Sequence, residues 1–493
     1  MWKSERRADA LYRAAAAVGG QNYGVPGELA VGDAISSLEE LGALAQVNNE
    51  ANVIIRESGA KEARMKERLL TRHPEFVQLF VDPDRPSLEA LRTFDTIAKH
   101  ATIEGVEDEA GDSAGSDDSE QDVPEQMITL DMSGNRERWL TSLPESFGDL
   151  DVFERIFLDR NRLTLLPETF GELSSLRVVD LSENKLTLLP ERFGDLSSLR
   201  VVELSENKLT TFPQSFGNLR ALESLHARNN PLTSLPSTFG NLVNLKDLAV
   251  DGDGAIASLP DSFGELRALE KLRLSSIKLT LLPQSFGNLV NLYELYLDNN
   301  QLTELPESFG DLAALKKLYV FGNNIQSLRD SFCNLHTLES LQMHHNHLSE
   351  LPSAFSELVN LKTLTLDNNQ ITSIPDSFGD FTELLVLKLN DNHLTSIPGS
   401  LGNLSRLVVL HLNDNQLASI PESLGNLSNL VILHLNGNTD LTSLPESLNG
   451  LTRLDRNMSN LSLNPNPPNP DLGISFENLQ LGDTNVIRSL EER

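Results

Sequence analysis

The stretch Leu295-Tyr296-Leu297-Asp298-Asn299-Asn300-Gln301-Leu302, followed by Pro306 and Phe309-Gly310, decides the fold. Leu295 and Leu297 flank a single residue. That is the alternation of a strand, with both leucines turned inward and Tyr296 and Asp298 outward. Asn300 closes the turn after the strand, where its amide can donate to and accept from buried backbone of neighbouring coils. Pro306 fixes φ where the chain leaves the strand side. Phe309 returns to the core from the opposite side, and Gly310 is expected in a left-handed position after a short helical turn.

The phrase recurs around Asn161, Asn184, Asn207, Asn230, Asn323, Asn346, Asn369, Asn392, Asn415 and Asn438. Asp253 and Ile277 hold the Asn position in two more coils, and Asn135 marks a less regular first one, which makes 14 coils. Successive spacings are 26, then 23 four times, 24 once, and 23 seven times. Phe147, Phe170, Phe193, Phe216, Phe239, Phe263, Phe286, Phe309, Phe332, Phe355 and Phe378 form a matching spine, replaced by Leu401, Leu424 and Leu448 towards the C-terminal end. A single coil of this size cannot bury its apolar side, whereas stacked coils share a continuous core.

The period matches the leucine-rich repeat, L-x-x-L-x-L-x-x-N-x-L. The expected fold is therefore an α/β leucine-rich repeat solenoid. Its curved parallel β-sheet would line the concave side, with short helical or 3-10 turns on the convex side. With their LPESFGNL-type returns, the repeats resemble those of the plant intracellular Ras-group-related leucine-rich repeat proteins and other cytosolic scaffolds with 23-residue repeats. The resemblance implies a binding platform, often one used in signalling.

Residues 126–452 form the repeat region, and residues 1–103 differ from it in character. Helices are expected there at 11–18, 34–55, 61–72 and 87–100 from 3–4-residue apolar spacing, with Pro74, Pro83 and Pro86 in the connections. Residues 104–125 hold ten acidic residues and no Lys or Arg, the composition of a disordered linker. Residues 453–493, with their Asn-Pro run from Asn464 to Pro470, are expected to cap the last coil.

The chain has 71 Asp+Glu against 40 Lys+Arg, a formal charge of −31, which argues against nucleic acid as the main partner. There is no run of 18 apolar residues, so no membrane span is expected, and the N-terminal sequence has no apolar signal core. A cytoplasmic protein is the expectation.

No cofactor, metal or catalytic residue is assigned. Neither a G-x-x-x-x-G-K-[ST] loop nor an H-E-x-x-H motif is present. Asp251-Gly252-Asp253-Gly254 mimics the middle of a calcium loop, but Ala249 and Pro260 fall where its end carboxylates belong. Cys333, the single cysteine, replaces the Gly of a Phe-Gly return and reads as a small buried thiol. His344, His345 and His347 flank Asn346, and His411 and His434 hold equivalent outward positions on neighbouring coils. These histidines suggest a polar surface sensitive to mild acid more than a metal site.

The expected function is non-enzymatic protein–protein interaction through the concave face. One alternative is a regulator or enzyme whose activity lies in the N-terminal region. Another is a host-directed effector or surface receptor-like protein. The partner-binding candidates are Arg273, Tyr296, Tyr319, Phe321, Gln342 and His344, because aromatic clusters beside Arg are what binding hot spots use.

Overall fold

The computed structural model describes residues 101–103, 128–134, 139–143, 145–151 and 153–455. The four expected N-terminal helices, the acidic linker, Asn135 and the Asn-Pro run lie outside the described residues. The chain divides into two compact units, one ending at Leu209 and the other beginning at Thr210.

In the first unit, β1 (Ala101–Ile103) pairs antiparallel with β2 (Ile128–Asp131). Strand β2 opens a parallel series with β3 (Arg155–Phe157), β4 (Val178–Asp180) and β5 (Val201–Glu203). The second unit holds ten parallel strands in chain order. They are β6 (Ser224–His226), β7 (Asp247–Ala249), β8 (Lys271–Arg273), β9 (Glu294–Tyr296), β10 (Lys317–Tyr319), β11 (Ser340–Gln342), β12 (Thr363–Thr365), β13 (Val386–Lys388), β14 (Val409–His411) and β15 (Ile432–His434). Each pairs with the next in a register shifted by one repeat, as in Leu295↔Leu318↔Leu341. The regular helices among the described residues are single 3-10 turns on the far side of each coil, such as Glu307–Asp311.

The inward leucines are fully buried, Leu295 and Leu297 among them. The Phe spine is a stack of near-parallel rings. Neighbouring centroids lie 5.8 and 6.0 Å apart from Phe147 to Phe193, and 6.2 and 6.0 Å apart from Phe263 to Phe309. Burying one aromatic ring per coil on the side away from the strands fills the space that two leucines cannot reach.

The asparagines do what their chemistry allows. The amide of Asn323 donates to Leu297 O (3.0 Å), Val320 O (3.1 Å) and Phe321 O (3.3 Å), while its Oδ1 accepts from Leu302 N–H (3.0 Å). Two of these contacts reach the coil before it and two hold the end of its own strand, so each Asn joins two coils. The ladder breaks at Asp253, which is exposed, and at Ile277, which is buried. Ahead of the break, Leu232 N–H turns to Asn230 O of its own coil (2.8 Å).

Gly310 is not left-handed. It is demanded by a close approach, since a Cβ there would stand 1.9 Å from Ser331 O of the next coil. The left-handed residue is the one just before the Asn, as at Glu183 (φ 51), Asn299 (φ 56) and His345 (φ 52). Pro306 leaves the strand side as expected, with φ −64.

Candidate partner-binding site

Strand register sets the candidate side chains in two columns. Arg273, Tyr296, Tyr319 and Gln342 are direct neighbours on β8, β9, β10 and β11. Phe321 and His344 stand two residues past the ends of β10 and β11, on the same outward face. All six are half-buried.

The rings of Tyr296 and Tyr319 stack at 4.4 Å with 4° between planes, close to the ~4.8 Å spacing of strands. Phe321 stacks on His344 at 4.4 Å and 8°, so cross-strand stacking embraces both pairs and not the tyrosines alone. The Arg273 guanidinium carbon lies 5.3 Å from the Tyr296 ring centre, and its Nη1 is held by Asp247 at 3.1 Å. Stacking of this kind occupies ring faces and leaves edges towards solvent. A partner would therefore meet ring edges, which carry the positive end of the aromatic quadrupole.

The polar groups around the rings are fixed. Tyr296 donates its hydroxyl to Glu294 (2.9 Å), and Lys317 Nζ stands 3.8 Å from the same carboxylate. Burial, helped by the Glu294 hydrogen bond and the neighbouring Tyr319 hydroxyl, pushes the Tyr296 phenol upward, so it stays protonated. His344 Nδ1 lies 3.1 Å from Thr365 Oγ1. Burial holds its imidazole below the ordinary value, with Lys388 and His345 acting the same way and Asp367 opposing. These supporting residues did not figure among the candidates. A signal for them was present: Asp247, Lys271, Glu294 and Lys317 alternate in sign at one repeat position.

His411 and His434 are register neighbours whose rings stack at 4.2 Å. His411 is only 5% exposed, and its Nε2 has no hydrogen-bond partner. Burial, reinforced by His434 and Lys388, pulls its pKa down to about 3. Protonation of His411 in the folded protein therefore lies well below mild acid, contrary to the expectation for this residue. His345 and His347 are exposed, and among the described residues no three His, Cys, Asp or Glu side chains are grouped to hold a metal. Cys333 is buried, and burial, with Asp330 and Glu357 nearby, pushes its thiol up to about 11, which suits packing and not nucleophilic attack.

The model for a "Leucine-rich repeat region" matches residues 174–280, and the model for a "Leucine rich repeat" matches 279–325, 315–371 and 360–417. The coils are leucine-rich repeats. All six candidate residues lie in repeats matched this way. Among solved structures, a leucine-rich repeat protein of Leptospira interrogans is 28% identical, with a TM-score of 0.54 over 66% of this chain and 94% of that one. The leucine-rich repeat ectodomain of the Arabidopsis thaliana receptor kinase GASSHO1/SCHENGEN3, solved with CASPARIAN STRIP INTEGRITY FACTOR 2, is 26% identical. Its TM-score is 0.52 over 67% of this chain and 48% of that one. A TLR13 complex with ssRNA13 is 27% identical, with a TM-score of 0.54 over 64% of this chain and 49% of that one. No curated protein matches this chain by sequence. No helix among the described residues is long and apolar enough to cross a membrane.

Proposed function

We propose that this leucine-rich repeat protein is a non-enzymatic cytoplasmic scaffold that binds a partner protein on its strand face, between Arg273 and His344. One observation carries this reading: two stacked ring pairs stand side by side on adjacent strands, half-exposed, with an arginine on the outer ring. Rigid rings held in place by their neighbours lose little entropy on binding, which is what a hot spot needs. The formal charge of −31 favours a protein partner over RNA, although the TLR13 structure shows that the repeat class can carry RNA. A role in intracellular signalling is the natural setting for such a platform.

The experiment is affinity capture with the full chain, identification of the bound protein, and titration of that protein in purified form. Truncating Tyr296, Tyr319 and Phe321 together to Ala should weaken the complex by about 30-fold, roughly 2 kcal/mol, with the fold intact. Unchanged affinity in the folded triple variant would rule this surface out.

A further inference from the structure

Two departures from the repeat norm coincide on the flank where the first unit leaves its strands. Backbone bonds hold successive segments in register there. Arg162 N–H donates to Leu140 O (2.8 Å), Lys185 N–H to Leu163 O (2.9 Å) and Lys208 N–H to Leu186 O (2.9 Å). Arg162, Lys185 and Lys208 therefore form one row, a coil apart, with Trp139 ahead of them. In most later coils this position is neutral, as at Gln301, Asn324, Gln370 and Gln416. All three cations are exposed, and neither Lys185 nor Lys208 enters an ion pair among the described residues.

The second departure lies three residues on. Leu165 is 50% exposed and Leu188 is 51% exposed, where other coils carry Thr211, Ser234, Glu304 or Ser373. Only Lys278 and Leu281 repeat the combination, and they do so singly. Nothing in the repeat requires leucine there, since its inward neighbours Leu166 and Leu189 already fill the core. Two adjacent coils thus present a cationic row beside an apolar row in a chain that is otherwise strongly acidic.

We propose that this flank is a second docking surface, for an acidic amphipathic polypeptide segment. The segment's carboxylates would pair with Arg162, Lys185 and Lys208, and its apolar side chains would cover Leu165 and Leu188. Charge complementarity selects the partner: among the described residues, Lys185 and Lys208 are exposed cations on successive coils that enter no ion pair, with Arg162 in line ahead of them. Repulsion from the acidic remainder is screened beyond ~8 Å at physiological salt, whereas contacts within the row are not. RNA fits less well. Its bases need aromatic faces, and the Trp139 face is covered by Arg162, whose guanidinium carbon lies 3.5 Å from the ring centre. The apolar row would also gain nothing from a phosphate backbone.

The test uses the full chain and fluorescence anisotropy with a labelled synthetic helical peptide, rich in Glu with Leu at every third or fourth position. The wild type should bind it saturably, with affinity falling as salt rises. Lys185→Glu/Lys208→Glu should weaken binding about tenfold or more and flatten the salt dependence. Leu165→Ser/Leu188→Ser should weaken it while leaving the salt slope intact. Tyr296→Ala/Tyr319→Ala/Phe321→Ala should bind as the wild type does, which separates this surface from the strand-face site. Unchanged melting temperatures would show that the exposed substitutions spare the fold. Absence of saturable binding, equal binding by the charge-reversed variant, or tighter binding of a single-stranded RNA oligonucleotide than of the peptide would each overturn the assignment.

Discussion

Replacing Asn323 by Ala removes three donated hydrogen bonds and one accepted bond from a buried site. The losses are unequal. Leu297 O also accepts from Asn300 (2.9 Å) and Val320 O from Asn346 (3.0 Å), so both carbonyls keep a partner. Leu302 N–H loses its side-chain acceptor, and an orphaned buried N–H costs about 1–3 kcal/mol. The native break in the ladder sets the lower end, because Leu232 N–H finds Asn230 O where Asp253 offers it nothing. We expect a destabilisation of about 2 kcal/mol for Asn323→Ala. Asn323→Asp should cost more. Its carboxylate cannot donate and would face three carbonyl oxygens, and the excess should shrink as pH falls and the carboxyl protonates. Urea unfolding followed by circular dichroism gives the totals, and hydrogen exchange at the Leu302 amide reads the local loss. An Ala variant within about 0.5 kcal/mol of wild type, or an Asp variant no worse than Ala at neutral pH, would refute the description of the ladder.

Three further outcomes are expected. Gly310→Ala should destabilise by about 1–3 kcal/mol in the same unfolding assay, because its Cβ would meet a backbone carbonyl and not a movable side chain. His411 is neutral when folded down to pH about 3, against ~6.5 in an unfolded chain, so its contribution is complete above the unfolded value and declines as pH falls below it. Between pH 7 and 5 that loss is about 2 kcal/mol, and His411→Gln should flatten the pH dependence of the urea midpoint. Cys333→Ser should leave partner binding unchanged, and the native thiol should react with a disulfide reagent at pH 8 only after denaturant is added.

The repeat was legible because its constraints are local to one coil. Inward leucines, the returning Phe and the turn-closing Asn each show in a single period. What escaped depends on the adjacent coil. The crowding at Gly310 comes from Ser331, one repeat away, and the left-handed turn falls on residues as ordinary as Glu183 and Arg160. The outward columns were legible as rows, and Tyr296 does stack on Tyr319. Phe321 has no ring to stack on within its own period, and the next coil supplies His344. Outward did not mean exposed on β12 to β14, where Thr363, Thr365, Val386, Val409 and His411 are all buried among close neighbours. Alternation gives the direction of a side chain but not how tightly the next strand presses on it.

Each ladder asparagine reaches backwards: Asn323 serves Leu297 and Leu302, and Asn346 serves Val320 and Ile325. A coil is therefore completed by its successor. On a ribosome, where the chain emerges from its N-terminal end, the newest coil would always hold an unanswered amide until the next repeat is synthesised. Growth of the array is then stepwise and directional, with one marginal coil at the tip. Where that step is missing, at Asp253, the newly made chain must hold Leu232 with a bond of its own.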